Sequence, residues 1–404
     1  MTQPSVKHST DSDLDEFARL SLDEMGELGD TTAQFEGETI NVFGGIPGEQ
    51  VMVRIVRYRR RRRYYISAIV TEVLEPSRHR VPTPCPYFGP CTGCQWQHID
   101  YAHQLELKRA AIERELTKYG TLSDVDVPAT LPSPEQFTYR NHARFTVRRG
   151  DLGYVNRITR RFVRVERCML MAEGINETLG ALQGRSQETS QLSVRYGIHT
   201  DDTLVQPQLE SADVSVPSGQ THYRETLRGA TFRIASPSFF QVNTAQAEKL
   251  TDLVRSRLQL SGEETLIDAY AGVGVFAVLL APAVARVIAI EESAAAVKDA
   301  EINAEGISNV ELRLGKTEEV LDDLKVTPDA VVLDPPRAGC HPDVLRVICR
   351  VRPETLVYVS CDPATLARDL DLLVQGEYAI EGVQPVDMFP QTHHVECVAT
   401  LKPA

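Results

Sequence analysis

The stretch LIDAYAGVGVFAV, residues 266–278, decides the architecture of the C-terminal part of the chain. An apolar run ends on an acid, Asp268, and Gly272 and Gly274 then permit a tight turn before VFAV continues as a helix. Working outward, the same style repeats on both sides. QAEKLTDLVRSRLQL (246–260) reads as helix, ARVIAIEES (285–293) as strand and AAAVKDAEINAEG (294–306) as helix. NVELRLG (309–315), DAVVLDPP (329–336) and TLVYVSCDP (355–363) read as further strands. Strands alternating with helices predict an open, largely parallel, doubly wound sheet of Rossmann-like form, whose ligands lie outside the carboxyl ends of the strands. Those ends carry Asp268, Glu291, Asp334 and Cys361.

The turn is D-x-x-x-G-x-G rather than G-x-G-x-x-G, so it offers no obvious pyrophosphate cradle. Glu291 ends the next strand, where a carboxylate can accept both hydroxyls of a ribose. S-adenosylmethionine fits these features, having a ribose, no phosphates and a cationic tail; Tyr270 on the same turn is expected as an aromatic wall. Asp334 is followed by two prolines that stiffen the backbone, which aims its carboxylate at a planar substrate.

Cys361 stands at the end of a strand, and ATLARDLDLL begins a helix just after it. A thiol at a helix N-terminus is expected to be stabilised as thiolate by the unpaired N–H groups and the dipole. A methyltransferase has a use for such a nucleophile: carbon 5 of uracil is too electron-poor to attack a methyl group until a thiolate adds at carbon 6. The adduct then needs a base to remove the original hydrogen from carbon 5. FPQTHHVECVATL (389–401) offers Glu396, with His394 as runner-up.

The N-terminal portion is different. No segment reaches membrane-spanning length, the acidic N-terminus does not read as a secretory signal, and a cytoplasmic protein with reduced thiols is expected. The net charge is −13, but residues 51–80 carry nine arginines against two acids, including RYRRRRRYY at 57–65, and residues 138–170 repeat that balance. Local basic fields with interleaved tyrosines point to a nucleic acid as partner. The expected organisation is an acidic disordered tail at 1–17, a small β-barrel at 18–76, a mostly β central domain at 77–235 and a catalytic domain at 236–404, with a helix at 101–119 burying Leu105, Ile112 and Leu116 and packing on the catalytic domain. Cys85, Cys91 and Cys94 lie in a Pro/Gly-rich loop and Cys168 lies in VERCML. Four thiolates suit either tetrahedral zinc or a cubane iron–sulfur cluster.

FFQVN (239–243), DAYAGVGVF, IAIEES, DPPRAG, VSCDPATLARDL and HVECV, in this order, resemble the S-adenosylmethionine-dependent RNA 5-methyluridine methyltransferases. The resemblance implies that Cys361 is the nucleophile, Glu396 the proton acceptor, and Gln241, Tyr270, Glu291 and Asp334 the cofactor-binding residues. The cysteine pattern resembles that of 23S ribosomal-RNA members, which implies a 4Fe–4S cluster on Cys85, Cys91, Cys94 and Cys168. The barrel likewise resembles their OB-like, RNA-binding TRAM domain. A monomer acting on 23S rRNA is expected, with tRNA as the alternative substrate and a non-catalytic RNA-binding protein or a methylthiotransferase as rival readings. Two positions depart from the family: Asp362 stands where Asn is common, adding charge beside the thiol, and Val275 stands where many members have Asn.

Overall fold

A computed structural model of the chain describes residues 16–60, 63–211 and 213–404. Most of the expected acidic tail (residues 1–15) and the arginine side chains at 59–63 lie outside the described residues. The chain divides into two compact units, one running to Asp100 together with Asn156–Arg161, the other made of Tyr101–Val155 and Phe162–Ala404.

In the first unit, β1 (Phe17–Ser21), β2 (Thr31–Phe35), β3 (Glu38–Phe43), β4 (Gln50–Arg60) and β5 (Arg63–Glu75) form one sheet in the order β1-β4-β5-β3-β2. Only β3 and β5 run parallel. The chain leaving β1 bonds back to β2, with Asp23 N–H donating to Thr32 O and Thr32 N–H to Glu24 O. The two edges thereby meet around an apolar core of Leu20, Ile40, Val42, Val51, Val53 and Ala68. The loop that follows carries Cys85, Cys91 and Cys94. It is tied to the sheet by Arg80 on the buried Glu49 and by Trp96 Nε1, which donates to Gly29 O at 2.9 Å.

The second unit begins with α1 (Tyr101–Leu116). An antiparallel sheet follows, made of β6 (His142–Arg148), β7 (Asp151–Val155), β8 (Phe162–Arg164), β9 (Gln191–Tyr196) and β10 (Thr203–Gln206), with α2 (Glu173–Leu182) between β8 and β9. On β6 the pleat turns Ala143, Phe145 and Val147 inward and leaves Arg144 and Arg148 exposed. A hairpin of β11 (His222–Leu227) and β12 (Ala230–Ala235) leads to α3 (Thr244–Leu258), whose first turn is capped by the Asn243 side chain.

The remaining elements alternate: β13 (Thr265–Ala269), α4 (Val275–Leu280), β14 (Arg286–Glu291), α5 (Ala294–Asn303), β15 (Val310–Leu314), α6 (Thr317–Asp323), β16 (Ala330–Leu333), α7 (Pro342–Val351), β17 (Thr355–Ser360), α8 (Pro363–Gln375), β18 (Tyr378–Val386) and β19 (Glu396–Pro403). Their strands form a seven-stranded sheet in the order β15-β14-β13-β16-β17-β19-β18. The first five strands are parallel, and β19 runs antiparallel to both β17 and β18. Both faces are buried because alternate residues feed two cores. Ile267, Ile288, Val331 and Leu356 pack with Leu345 and Leu366 on one side, while Leu266, Val287, Val332 and Val357 pack with Leu250 and Phe276 on the other.

Helix α1 departs from its expected face. It buries Gln104, Lys108, Ile112 and Leu116, and Leu105 is only half-buried. Its polar residues turn inward because the loop between β18 and β19 offers them partners. Lys108 Nζ donates to the Asp387 carboxylate and to Phe389 O, Tyr101 Oη donates to Asp387, and Gln104 exchanges two hydrogen bonds of 3.0 Å with Gln391.

Candidate active site

Because β13, β14, β16 and β17 are parallel, their carboxyl ends share one edge of the sheet, and the antiparallel β19 starts at that same edge with Glu396. The β17–β19 ladder ends on the pair Ser360 and Cys397. One step further along this register places Cys361 beside Glu396.

The turn after β13 is held in left-handed backbone conformations, with φ of 66° at Tyr270, 57° at Gly272 and 86° at Gly274. At Gly274 a side chain would also press on Ala300, whose Cβ lies 3.3 Å from the position of an added Cβ. The Asp268 carboxylate accepts from Ala277 N–H at 2.8 Å, inside the first turn of α4. Glu291 braces the same turn: one oxygen accepts from Gly272 N–H at 2.9 Å and the other from Ser293 N–H at 2.7 Å. Each oxygen keeps a second lone pair for a ligand hydroxyl. Tyr270 is half-buried, and burial and the neighbouring Cys340 thiol raise its hydroxyl pKa. Gln241 is half-buried; its carbonyl accepts from Asn141 Nδ2 at 3.0 Å, and its side-chain amide makes no hydrogen bond among the described residues. Val275 packs at the margin of the apolar cluster of Phe232, Phe240 and Val278.

The acids of this edge act on one another. Burial pushes Asp268 up to about 8, helped by the fields of Asp334 and Glu291, and one of its oxygens is buried without a partner. Asp334 keeps some accessible surface, yet enough protein surrounds its carboxyl to push it up to about 7. A buried carboxyl at Asp268, under the fields of Asp334 and Glu291, makes an environment suited to a cation, and Glu291 is oriented to take ribose hydroxyls. The residues present therefore fit S-adenosylmethionine. Asp268 belongs with them; its signal in the sequence was its place at the end of a strand just before the glycine turn.

The thiol is set differently from expectation. Asp362 is the N-cap of α8, and its carboxylate accepts from Ala364 and Thr365 N–H, both at 3.1 Å. Pro363 has no N–H and Leu366 N–H bonds to Asp362 O at 3.0 Å, so the first turn has no donor left for Cys361. The charge of Asp362 is absorbed by the helix end and is not among the causes of the thiol's shift. Burial, together with the Glu396 and Asp334 carboxyls, pushes the Cys361 thiol up to about 11, and the nearby Arg337 guanidinium works in the opposite direction. Arg337 is thus a site residue that spacing alone did not reveal.

Glu396 is 3% exposed, and burial and Asp334 raise its pKa well above the usual carboxylate range. His394 receives a hydrogen bond from Arg337 Nη2 at 3.2 Å on Nδ1. A guanidinium can only donate, so Nδ1 holds the lone pair and Nε2 the proton. Burial and nearby cations hold the ring neutral, with its pKa down to about 3. With its lone pair engaged, His394 has none to offer a substrate proton.

Cys85, Cys91 and Cys94 lie in the first unit and Cys168 in the second, where its N–H donates to Asn176 Oδ1 at 2.8 Å. All four are half-buried and none is in a disulfide. Among the described residues, no group of three or more His, Cys, Asp or Glu side chains is placed to hold a metal ion. Thiolate is a soft ligand of the kind that iron–sulfur clusters and zinc take.

Residues 221–403 match a family model described as tRNA (Uracil-5-)-methyltransferase. The chain is 35% identical to an uncharacterized RNA methyltransferase of Gloeobacter violaceus, over 91% of this chain and 92% of that protein. It is 36% identical to an uncharacterized RNA methyltransferase of Geobacter sulfurreducens, over 98% and 91%. A crystal structure of the Pyrococcus abyssi tRNA (uracil-54, C5)-methyltransferase with S-adenosyl-L-homocysteine superposes with a TM-score of 0.73 and 26% identity, covering 95% of this chain and 100% of that one.

Proposed function

This chain belongs to the RNA uracil-5-methyltransferase family, and from that premise we propose that Cys361 and Glu396 carry its chemistry. The observation that carries the proposal is their adjacency across the β17–β19 register, with the Arg337 guanidinium on the thiol.

S-adenosylmethionine, when bound, supplies an electrophilic methyl group; Gln241, Tyr270, Asp268, Glu291 and Asp334 are the residues to hold it. The Cys361 thiol loses its proton to solvent, favoured by Arg337, and its sulfur bonds to carbon 6 of uracil. The electron pair displaced onto the ring makes carbon 5 nucleophilic, and carbon 5 takes the methyl group. Glu396, as carboxylate, removes the hydrogen from carbon 5. The electrons of that C–H bond restore the double bond as the C6–S bond breaks and the thiolate leaves. A raised pKa suits Glu396 to this role, because a stronger base removes a carbon-bound proton faster.

The substrate is structured RNA whose target uridine is flipped out of its stack. Arg144, Arg148 and Arg149 are exposed on and just after β6 and form no ion pair among the described residues, which suits them to phosphate contacts. The cysteine set and the TRAM-like sheet at 18–76 favour 23S rRNA; the likeness to the Pyrococcus tRNA enzyme favours tRNA as the second reading. The rest of the proposed organisation is a central domain at 77–235 with a 4Fe–4S cluster on Cys85, Cys91, Cys94 and Cys168, and a Rossmann-like catalytic domain at 236–404, in a cytoplasmic monomer. The cluster's role is to staple the central domain, since methyl transfer has no redox step.

Incubation with S-adenosylmethionine and 5-fluorouridine-substituted RNA tests the mechanism. The fluorine cannot leave as a cation, so protein and RNA should stay joined through Cys361. A link at any other residue, or full activity of Cys361→Ala, overturns it. Mapping 5-methyluridine in total RNA with and without the protein decides between rRNA and tRNA. A colourless, zinc-containing preparation rejects the cluster.

A further inference from the structure

The segment TLARD (365–369) follows the thiol by a few residues, and the chemistry above uses none of its side chains. Thr365, Arg368 and Asp369 share one face of α8, three and four residues apart. All three reach the loop that carries Arg337. Thr365 Oγ1 donates to Arg337 O at 3.2 Å, Arg368 Nη2 donates to Ala338 O at 3.0 Å, and the wholly buried Asp369 accepts from Cys340 N–H at 2.8 Å. Asp369 is itself fixed from behind by Tyr358 Oη at 2.6 Å and by Arg368 Nε at 2.8 Å.

The approach is so close that only glycine fits between. A Cβ on Gly339 would lie 2.4 Å from Arg368 Nη2 and 2.6 Å from Asp369 Oδ2, and Gly339 has a φ of 76°. Three backbone groups of residues 337–340 are therefore satisfied by one helix face, and that helix begins two residues after Cys361.

We propose that Thr365, Arg368 and Asp369 are positioning residues: they dock the Arg337–Cys340 loop on α8 so that the Arg337 guanidinium rests on the Cys361 sulfur. One rigid helix then begins two residues after the thiol and carries the clamp for the thiol's cation on its side. The groups that face the sulfur are Glu396 from β19 and Asp334 and Arg337 from the loop after β16, two acids against one base. With burial and both carboxyls opposing ionisation, reactivity depends on Arg337 staying in place.

The proposal rests on Cys361 being the nucleophile, but its test is separable from that reading. The alkylation rate of Cys361 by iodoacetamide at pH 8 reports thiolate content without any catalysis, read by peptide mass spectrometry on the full chain. Arg337→Ala is expected to slow it about tenfold, the equivalent of one pKa unit. Arg368→Lys keeps the charge but cannot hold Asp369 and Ala338 O together, and should reproduce most of that loss. The double variant should be no slower than Arg337→Ala alone, since both changes act through one group. In Arg368→Lys, kcat for methylation should fall in step while KM for S-adenosylmethionine stays unchanged.

A folded Arg368→Lys with wild-type alkylation overturns the proposal, as does an effect that adds to that of Arg337→Ala. Asp369→Asn is the weaker variant because its site is buried; Arg368, half-exposed, carries the test. Full methylation by Cys361→Ala sinks the nucleophile instead and leaves the alkylation result standing.

Discussion

The Asp362 carboxylate accepts from Thr365 N–H at 3.1 Å, closing the helix end that follows Cys361 in the chain. A neutral amide oxygen can do the same. Asp362→Asn should therefore leave stability and Cys361 alkylation near wild type. Asp362→Ala should lose about 0.5–2 kcal/mol in urea unfolding, the ordinary cost of removing an N-cap. A large rise in thiol reactivity in the Asn variant would show that the charge acts on sulfur after all.

Glu396→Gln keeps the shape of the base and removes its ability to take a proton. Addition and methyl transfer should proceed, and release should stall. The expected readout is RNA covalently held on the protein in a denaturing gel with ordinary uridine substrate, and turnover lowered by about 10²–10⁴-fold. Absence of that adduct with the fold intact would assign the proton to another acceptor.

Asp268 links the site to pH. Its folded pKa is raised to about 8, against about 3.9 for an unfolded chain. Between these values the folded protein binds the extra proton, so stability falls as pH rises through that window. Wild-type Tm should drop between pH 5 and 8 by more than that of Asp268→Asn. Saturating S-adenosylmethionine should shrink the difference, because a cation favours the ionised acid.

Lys108 and Asp387 form an ion pair with both side chains at 0% exposure, joining α1 to the loop before Glu396. Lys108→Met strands a buried carboxylate and should cost about 3–5 kcal/mol. Adding Asp387→Asn should restore part of that stability. Denaturant midpoints of the single and double variants check both expectations.

The parallel strands β13, β14, β16 and β17 were legible because each is a short apolar run ending at an acid or thiol, with Ile267 and Val331 buried on one face and Val357 on the other. The juxtaposition of Cys361 with Glu396 was not. It depends on the antiparallel register of β17 and β19, which is set by tertiary pairing across more than thirty intervening residues. Gln104 and Lys108 lie outside the face of Leu105, Ile112 and Leu116 that apolar spacing marks, and their burial depends on partners from a distant loop. Asp362 was legible as a charge, but its neutralising partners are backbone groups that no residue type announces. The cysteines display a ligand type, and spacing alone carries no information on whether distant thiols meet.

The insertion of β19 between β17 and β18 has a consequence for nascent chains. A polypeptide synthesised only through β18 possesses Cys361 but lacks both Glu396 and the strand that joins those two neighbours. Under the proposed chemistry, a chain holding the nucleophile without its proton acceptor is therefore also a chain without a finished sheet.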